Sequence, residues 1–290
     1  MTSPEDERVE RAALVLAEDL AREAIELASA PPAGVGHKAD VLDLVTSADT
    51  AIEQRFRQRI AERFPDHAVL GEEQGLDEEG RDWTWIVDPI DGTFNYATRF
   101  VGAGSSIALM HGDVLRVGVV ADLALGTVYS CRKGAGTTWS GGSLPIDVDS
   151  AGAPGRARLF VDPGHQVPDP SMFGVVGTLA GLAPVVPRMV GSAAVSLAAV
   201  ALAGGCYVGA GLDVWDAAAG MLLAAERGRT VRWWRLAGDS YHHVLAGERE
   251  LVLAYERVIP EFIEAWRRKT TAAGRLLGPS DTILFRDEDE

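Results

Sequence analysis

The first 65 residues contain two stretches in which apolar side chains recur at helical spacing. The first follows Ser3 and Pro4, a pair that is typical of a helix start, and its apolar positions run from Val9 to Leu27. The second ends before Pro65 and has these apolar residues on one face: Ile52, Phe56, Ile60 and Phe64. The spacing therefore predicts two amphipathic helices, whose apolar faces need a sheet or each other to cover them.

After residue 65 the period changes to that of strands. Short apolar runs separated by turn residues predict an antiparallel meander over 83–90, 105–110, 114–121 and 127–131. Beyond the polar, Gly- and Pro-rich stretch 140–156, apolar runs alternate with helical segments. The predicted strands are 158–161, 185–189, 206–209, 230–234 and 251–254, and the predicted helices are 171–181, 192–203, 216–227 and 257–269.

These patterns predict an α/β protein with an α+β N-terminal half and an α/β C-terminal half. We place the N-terminal domain at 1–147 and the C-terminal domain at 148–269. Residues 270–290 are predicted to be a loose acidic tail.

Charge and cysteine content narrow the functional classes. The chain of 290 residues has 27 Lys and Arg against 42 Asp and Glu, a formal net charge of −15, which argues against nucleic-acid binding. No stretch is long and apolar enough for a membrane span, and the N-terminal residues are polar, so we expect neither a membrane anchor nor a secretory signal. Two cysteines make no disulfide framework, and we expect a cytoplasmic protein.

Acidic residues stand at three places where they follow or precede apolar segments. Glu72 and Glu73 come after the apolar run 68–70, Asp88 and Asp91 flank a Pro-Ile turn at the end of a strand, and Asp216 opens a helix. Each has a simple structural reading: a wet loop, a turn or a helix cap. Together they offer the hard oxygen ligands that Mg²⁺ takes, and carboxylates so close would repel one another without a cation.

The six histidines show no metal-ligand spacing with a nearby carboxylate pair. We predict surface or loop positions for all of them.

The acidic motifs resemble those of the inositol monophosphatase family, which are Mg²⁺-dependent, typically lithium-sensitive phosphatases. The similarity is carried by DPIDGT at 88–93, with GEE at 71–73 before it and WDAAAG at 215–220 after it. It extends to DLVTSAD at 43–49 and GSAA at 191–194, and it covers roughly residues 5–265 in the same order. The resemblance implies a layered αβαβα sandwich of the inositol monophosphatase and fructose bisphosphatase type.

The resemblance also implies a set of metal ligands. Glu72, Asp88 and the carbonyl of Ile90 would bind one Mg²⁺, and Asp88, Asp91 and Asp216 a second, with two or three ions in all; Mn²⁺ suits the same oxygen ligands.

The attacking water would be activated by one ion with the help of Glu72 and oriented by Asp49 and Thr93. Glu73 resembles an accessory acidic residue beside the first ion.

Phosphate and substrate contacts follow from the same resemblance. Gly92 and Thr93 would open a helix whose N–H groups face the phosphate. Lys38 resembles the phosphate-proximal lysine of the family, and the segment Gly191, Ser192 and Ala193 matches a substrate loop. Asp213 has two open readings, a ligand for a substrate hydroxyl or a cap for its loop.

One departure concerns the substrate. Gly209 stands where inositol-hydrolysing members of the family usually carry a Glu that contacts substrate hydroxyls. Inositol 1-phosphate specificity therefore stays open, and a Gly209→Glu substitution is expected to raise activity on that ester relative to others.

The sequence predicts a phosphomonoesterase for a small polyol or sugar phosphate similar to inositol 1-phosphate. Alternative substrates for the same chemistry are histidinol phosphate, adenosine 3′,5′-bisphosphate and fructose 1,6-bisphosphate. An alternative of another class is a non-catalytic regulatory or binding protein on this scaffold. The partner is a small phosphate ester, and the resemblance implies a homodimer.

Overall fold

The computed structural model describes residues 3–30, 36–37, 44–141, 156–162, 170–235 and 242–260. The helices of these residues are α1 (Pro4–Ala28), α2 (Ser47–Arg63), α3 (Thr93–Ala97), α4 (Pro170–Leu182), α5 (Ala193–Ala203), α6 (Val214–Glu226) and α7 (Arg249–Tyr255). The strands of the first half are β1 (Gly36–His37), β2 (Leu44–Val45), β3 (Ala68–Gly71), β4 (Gly75–Leu76), β5 (Trp83–Asp91), β6 (Gly104–His111), β7 (Val114–Asp122), β8 (Thr127–Arg132) and β9 (Thr137–Gly141). Those of the second half are β10 (Ala157–Asp162), β11 (Val185–Arg188), β12 (Cys206–Leu212), β13 (Thr230–Arg235) and β14 (His242–Gly247).

Two mixed sheets organise the described residues. One has seven strands in the order β4-β3-β5-β6-β7-β8-β9, and the other has five in the order β11-β10-β12-β14-β13; β1 and β2 form a separate short pair. In the larger sheet β3 runs parallel to β5 and the other pairs are antiparallel. This is the predicted meander, extended at both edges by strands that the apolar pattern did not predict.

Three apolar clusters hold the layers together. Helices α1 and α2 cover one face of the seven-stranded sheet, with Leu20, Phe56 and Trp85 fully buried among them. Helices α5 and α6 lie between the two sheets, and α4 and α7 cover the outer face of the five-stranded sheet. The order is therefore helix, sheet, helix, sheet, helix, which confirms the predicted αβαβα sandwich.

Most predicted elements of the described residues are confirmed, with shifts of a few residues at their ends. One prediction is wrong in type: residues 251–254 lie in helix α7 and do not form a strand. Most of the predicted helix over 257–269 lies outside the described residues. The predicted domain boundary at 147 and the predicted tail 270–290 also lie outside them.

A second correction concerns β14, which the apolar pattern did not predict. His242 and His243 lie in this strand and are 9% and 1% exposed, so the expectation of surface or loop positions is wrong for both. Burial lowers the pKa of His243 to about 3, and its imidazole is neutral at physiological pH.

Among the described residues, no helix combines the length and the apolar character that crossing a bilayer requires.

Candidate metal centre

A β-bulge at the end of β5 brings two carboxylates together. Asp88 pairs with Ser106 and Asp91 pairs with Gly104, so three residue steps on β5 oppose two on β6. Side chains three apart on a regular strand point to opposite faces, and the additional residue turns Asp91 back to the side of Asp88. Within the bulge Pro89 needs no ladder hydrogen bond, because it has no N–H to donate.

Helix α6 adds the third carboxylate. The Ser106 hydroxyl donates to the carbonyl oxygen of Trp215 at 2.7 Å and ties the start of α6 to β6. As a result, carboxylate oxygens of Asp88, Asp91 and Asp216 lie within 4.8 Å of one another. Asp88 and Asp216 are only 1% and 4% exposed.

Strand β3 delivers Glu72 to the same place. Strand β3 is parallel to β5, and its last residue, Gly71, lies opposite Val87. The residues that follow these two, Glu72 and Asp88, therefore lie side by side. A hydrogen bond between their carboxyl groups contributes to the raised pKa of Asp88. The parallel pairing of two strands thus joins two acidic motifs that are separate in the sequence.

The electrostatics of this group are those of an uncompensated acidic cluster. Burial, followed by the charges of Glu72, Asp91 and Asp216, raises the pKa of Asp88 well above its usual value. Burial and the charge of Asp216 likewise raise the pKa of Asp91, which two hydrogen bonds oppose. In addition, Oδ1 of Asp88 is buried and accepts no hydrogen bond from the described residues. An orphaned buried carboxylate oxygen among further carboxylates fits a hard cation, because Mg²⁺ and Mn²⁺ take oxygen ligands.

Helix N-termini fix the orientation of two of these carboxylates. Asp91 accepts hydrogen bonds from the hydroxyl of Ser192, the N-cap of α5, at 2.7 Å and from the Ala194 amide in the first turn at 2.6 Å. Asp216 accepts from the Asp213 amide at 2.9 Å, and the two residues form the capping box of α6.

The pair predicted to orient water is also assembled. The Thr93 hydroxyl oxygen lies 3.2 Å from Oδ1 of Asp49 and 3.0 Å from the carbonyl oxygen of Ile90. Asp49 is buried at the start of α2, where its other oxygen accepts from the Thr46 amide at 2.8 Å. Burial raises the pKa of Asp49, and its hydrogen bonds to Thr46 and Thr93 oppose the shift.

The predicted substrate residues fall into three groups. Gly191 and Ser192 lie against Gly92, whose ideal Cβ would be 2.7 Å from the Gly191 carbonyl oxygen; with φ of 86°, this position requires glycine. Ala193 begins α5 next to them, and Thr93 begins α3. Asp213 takes the N-cap position of α6, which leaves both of its proposed roles open, and Lys38 lies outside the described residues.

Glu73 lies beside Glu72 in the turn after β3, where its amide donates to Glu53 at 2.7 Å. The sequence motifs did not point to Glu53, which is fully buried on α2.

Two further residues near the centre were missed. Asp162 is 7% exposed at the end of β10, opposite Gly209 on β12, and its charge contributes to the raised pKa of Asp91. Tyr207 is buried, and its hydroxyl has no hydrogen-bond partner among the described residues. The sequence offered one signal for Asp162, because this acidic residue ends the apolar run 157–162. It offered no signal for Tyr207.

The close contacts around Gly209 change the expectation for the Gly209→Glu substitution. An ideal Cβ at Gly209 would lie 2.6 Å from the Tyr207 hydroxyl oxygen and 2.7 Å from Leu212 Cδ1. The Tyr207 ring occupies the space that a larger residue at 209 would need. A single Gly209→Glu substitution is therefore not expected to add a substrate contact.

Comparisons with known proteins show the family to which this chain is similar. The model of the inositol monophosphatase family matches residues 5–267. Human inositol monophosphatase 1 is 31% identical over 209 residues, which cover 66% of this chain and 71% of that protein. The inositol-1-monophosphatase of Mycobacterium bovis is 35% identical over 204 residues, covering 67% of this chain and 70% of that protein. Among solved structures, Mycobacterium tuberculosis SuhB matches with a TM-score of 0.64 and 31% identity, over 85% of this chain and 96% of that chain.

The layered fold and the similarity to named phosphatases define a phosphoric monoester hydrolase that acts on small phosphate esters. The chain belongs to the inositol monophosphatase family.

Proposed function

We propose that the protein is a Mg²⁺-dependent phosphomonoesterase that hydrolyses a small polyol or sugar phosphate similar to inositol 1-phosphate. The observation that carries the proposal is the cluster of Asp88, Asp91 and Asp216, whose carboxylate oxygens lie within 4.8 Å of one another around a buried, unpaired Oδ1 of Asp88. The names of the relatives, inositol monophosphatase 1 and inositol-1-monophosphatase, support the substrate class.

The proposed ligands divide into two sets that share Asp88. Glu72, Asp88 and the Ile90 carbonyl would hold one ion, and Asp88, Asp91 and Asp216 a second, with two or three ions in all. When bound, such ions supply positive charge that lowers the pKa of water and neutralises charge on the leaving oxygen. The hydrogen bonds from α5 to Asp91 and from Asp213 to Asp216 hold these carboxylates in one orientation.

The hydrolytic step needs a water held in line with the ester bond. We assign its orientation to Thr93 and Asp49, because the Thr93 hydroxyl lies 3.2 Å from the carboxylate of Asp49 and both residues lie in the first turn of a helix. Glu72 would accept the proton of that water, and Glu73 would add negative charge beside it. No covalent intermediate is required, and the two free cysteines, Cys131 and Cys206, are buried.

The phosphate would lie against backbone N–H groups of Gly92 and Thr93, with Lys38 as the cationic contact. The absence of a Cβ at Gly92 and Gly191 lets two loops approach closely there, which supports a compact phosphate pocket. The alcohol would face Gly191, Ser192, Ala193 and the start of α6 near Asp213.

Three further proposals concern the molecule as a whole. We place its domains at 1–147 and 148–269. We expect the protein to be cytoplasmic, and its two free, buried cysteines support this location.

We also propose a homodimer, because Phe94, Phe100 and Val101 are 58%, 64% and 64% exposed. Asn95 joins this loop to the segment after β11 by donating to the carbonyl oxygens of Gly102 and Val190. Exposed large apolar side chains within eight residues of one another support an interface between two copies of the chain.

The function is tested by phosphate release from a panel of esters, each with Mg²⁺ and with a chelator. The panel contains inositol 1-phosphate, histidinol phosphate, fructose 1,6-bisphosphate, adenosine 3′,5′-bisphosphate and β-glycerophosphate. We expect Mg²⁺-dependent release, fastest with inositol 1-phosphate or another polyol phosphate. Release that is equally fast in the chelator would contradict the metal assignment, and preference for a bisphosphate would contradict the substrate class.

A further inference from the structure

Glu53, in the middle of α2, is a fully buried carboxylate with three polar contacts. It accepts hydrogen bonds from the amide of Glu73 at 2.7 Å and from the amide of Gln74 at 3.1 Å. Its third contact is the Arg57 guanidinium, whose Nε donates at 2.9 Å one helical turn later. The carboxylate therefore holds two successive amides of the turn that leaves β3.

Arg57 extends this clamp to both strands beside the turn. Its guanidinium donates to the carbonyl oxygen of Val69 on β3 at 3.2 Å and to that of Gly75 on β4 at 2.6 Å. The side chain is 14% exposed, so these bonds are largely shielded from solvent. The ion pair consequently neutralises the buried charge of Glu53 and fixes the hairpin against α2 at the same time.

Gly71 supplies the room that Glu53 needs. An ideal Cβ at Gly71 would lie 2.5 Å from Cδ of Glu53 and 2.6 Å from its Oε1. Any side chain at position 71 would therefore displace the carboxylate from the turn. The glycine that opens the GEE motif has a steric reason in this chain.

The turn that Glu53 holds is the one that carries Glu72. Glu72 immediately precedes the two amides in contact with Glu53, and its carboxyl group is hydrogen-bonded to that of Asp88. Asp49 lies four residues before Glu53 on α2, on the same face of the helix. One helix face thus contacts Thr93 through Asp49 and the Glu72 turn through Glu53.

We propose that Glu53 is a positioning residue of the metal centre, which sets the place of Glu72 through the main chain and thereby the affinity for the divalent cation. The proposal rests on the proposed function, since it takes Glu72 as a metal ligand. Residues that hold metal ligands in place typically change metal affinity roughly 10- to 100-fold when they are replaced. A purely structural ion pair would instead lower thermal stability and leave the affinity of the folded protein unchanged.

The test is a calorimetric titration of the full chain with Mn²⁺, combined with thermal unfolding of each variant. We expect Glu53→Gln to weaken Mn²⁺ binding roughly 10- to 100-fold, because the amide group cannot accept from both main-chain N–H groups. The matched control is Glu23→Gln, which removes a carboxylate that accepts from Arg55 of α2 at 2.6 Å, away from the turn. We expect this control to leave the Mn²⁺ affinity unchanged.

A second experiment, in the Glu72→Gln variant, tests whether Glu53 changes metal affinity through Glu72 or independently of it. If Glu53 acts through Glu72, then Glu53→Gln adds little to the loss of affinity in a Glu72→Gln protein, because coupled residues are not additive. Full additivity in this double-mutant cycle would overturn the proposal, as would a folded Glu53→Gln variant with wild-type affinity.

The outcomes distinguish this proposal from the proposed function. If the wild-type protein fails to bind Mn²⁺, the metal centre itself is contradicted, and the positioning role with it. If Glu53→Gln does not fold, Glu53→Asp replaces it, because the shorter carboxylate stays charged beside Arg57 but withdraws from the turn. Wild-type affinity in folded Glu53→Asp would then overturn the positioning role alone.

Discussion

Asp88 and Asp91 hold protons more tightly in the folded protein than in the unfolded chain. Burial is the largest cause for both, and neighbouring carboxylates add to it, so both pKa values are raised above the ordinary value of 3.8. For such groups the folded state is most favoured at low pH, and stability is lost as the pH rises through the folded pKa. A bound divalent cation removes that cost, because it favours the charged carboxylates.

The raised pKa values of Asp88 and Asp91 lead to a prediction about how Mg²⁺ changes the thermal stability at different pH values. We expect the increase in Tm on adding Mg²⁺ to be larger at about pH 8 than at about pH 5, because the carboxylates repel one another only when ionised. Differential scanning calorimetry in chelator and in Mg²⁺ at both pH values measures it. An increase that is the same at both, or larger at about pH 5, would contradict the raised pKa values.

At the scale of elements, the centre is built from one bulge and several helix starts. The bulge in β5 brings Asp88 and Asp91 to one side, and the first turns of α2, α3, α5 and α6 carry the other polar groups. A helix start suits such a centre because its free N–H groups orient carboxylates, as Ala194 does for Asp91.

The tight contact at Gly209 leads to a prediction for β12. Gly209→Ala is expected to lower the free energy of unfolding by about 1–3 kcal/mol, because the new methyl group overlaps the Tyr207 ring and Leu212. The matched control is Gly177→Ala on α4, where nothing lies within 4 Å of an added Cβ and a gain of up to about 1 kcal/mol is expected. Urea unfolding of both variants measures the difference, and a neutral Gly209→Ala would show that Tyr207 moves aside easily.

Much of the fold follows from local patterns, and the exceptions have local causes. The amphipathic helices α1 and α2 and the meander β5 to β8 have clear periods, and their types are predicted correctly. Residues 251–254 form an apolar run too short to distinguish the two periods, and only the burial of Leu251, Val252 and Tyr255 on one side of α7 decides for a helix. The polar pair His242 and His243 concealed β14, whose burial comes from tertiary packing.

The candidate site divides in the same way. The carboxylates of the acidic motifs stand in short contiguous segments, and the sequence was sufficient to select them. Glu53 and Asp162 reach the centre only through the packing of α2 on the turn after β3 and through the pairing of β10 with β12. Asp162 lies outside every acidic motif, and Glu53 follows the 43–49 segment by one helical turn, so only the folded structure shows which groups the two carboxylates contact.

At the scale of the whole molecule, the layers place the acidic centre where elements of both sheets meet. Asp88 and Asp91 belong to the seven-stranded sheet, while Asp216 belongs to α6, which packs between the sheets. A net charge of −15 increases the repulsion among these carboxylates and favours cations over further anions near the molecule.

The proposed homodimer gives a prediction at this scale. Phe100→Asp is expected to convert the dimer to monomer, because a charge would be buried in an apolar interface. Leu182→Asp is the control, since Leu182 is also exposed, at 49%, but lies at the end of α4, which covers the outer face of the five-stranded sheet. Sedimentation velocity measures both, and a wild-type protein that sediments as a monomer would contradict the dimer.

The central claim is that three clustered carboxylates hold the cation that hydrolysis requires, and Asp91→Asn tests it most directly. We expect this variant to fold, because removing one charge relieves repulsion in the metal-free centre, and to lose Mg²⁺-activated phosphate release by roughly 100-fold or more. The matched control is Asp122→Asn, a buried carboxylate that accepts from the Ala124 and Leu125 amides, and its activity is expected to stay near wild type. Near wild-type, Mg²⁺-dependent activity in folded Asp91→Asn would contradict the assignment of the metal centre.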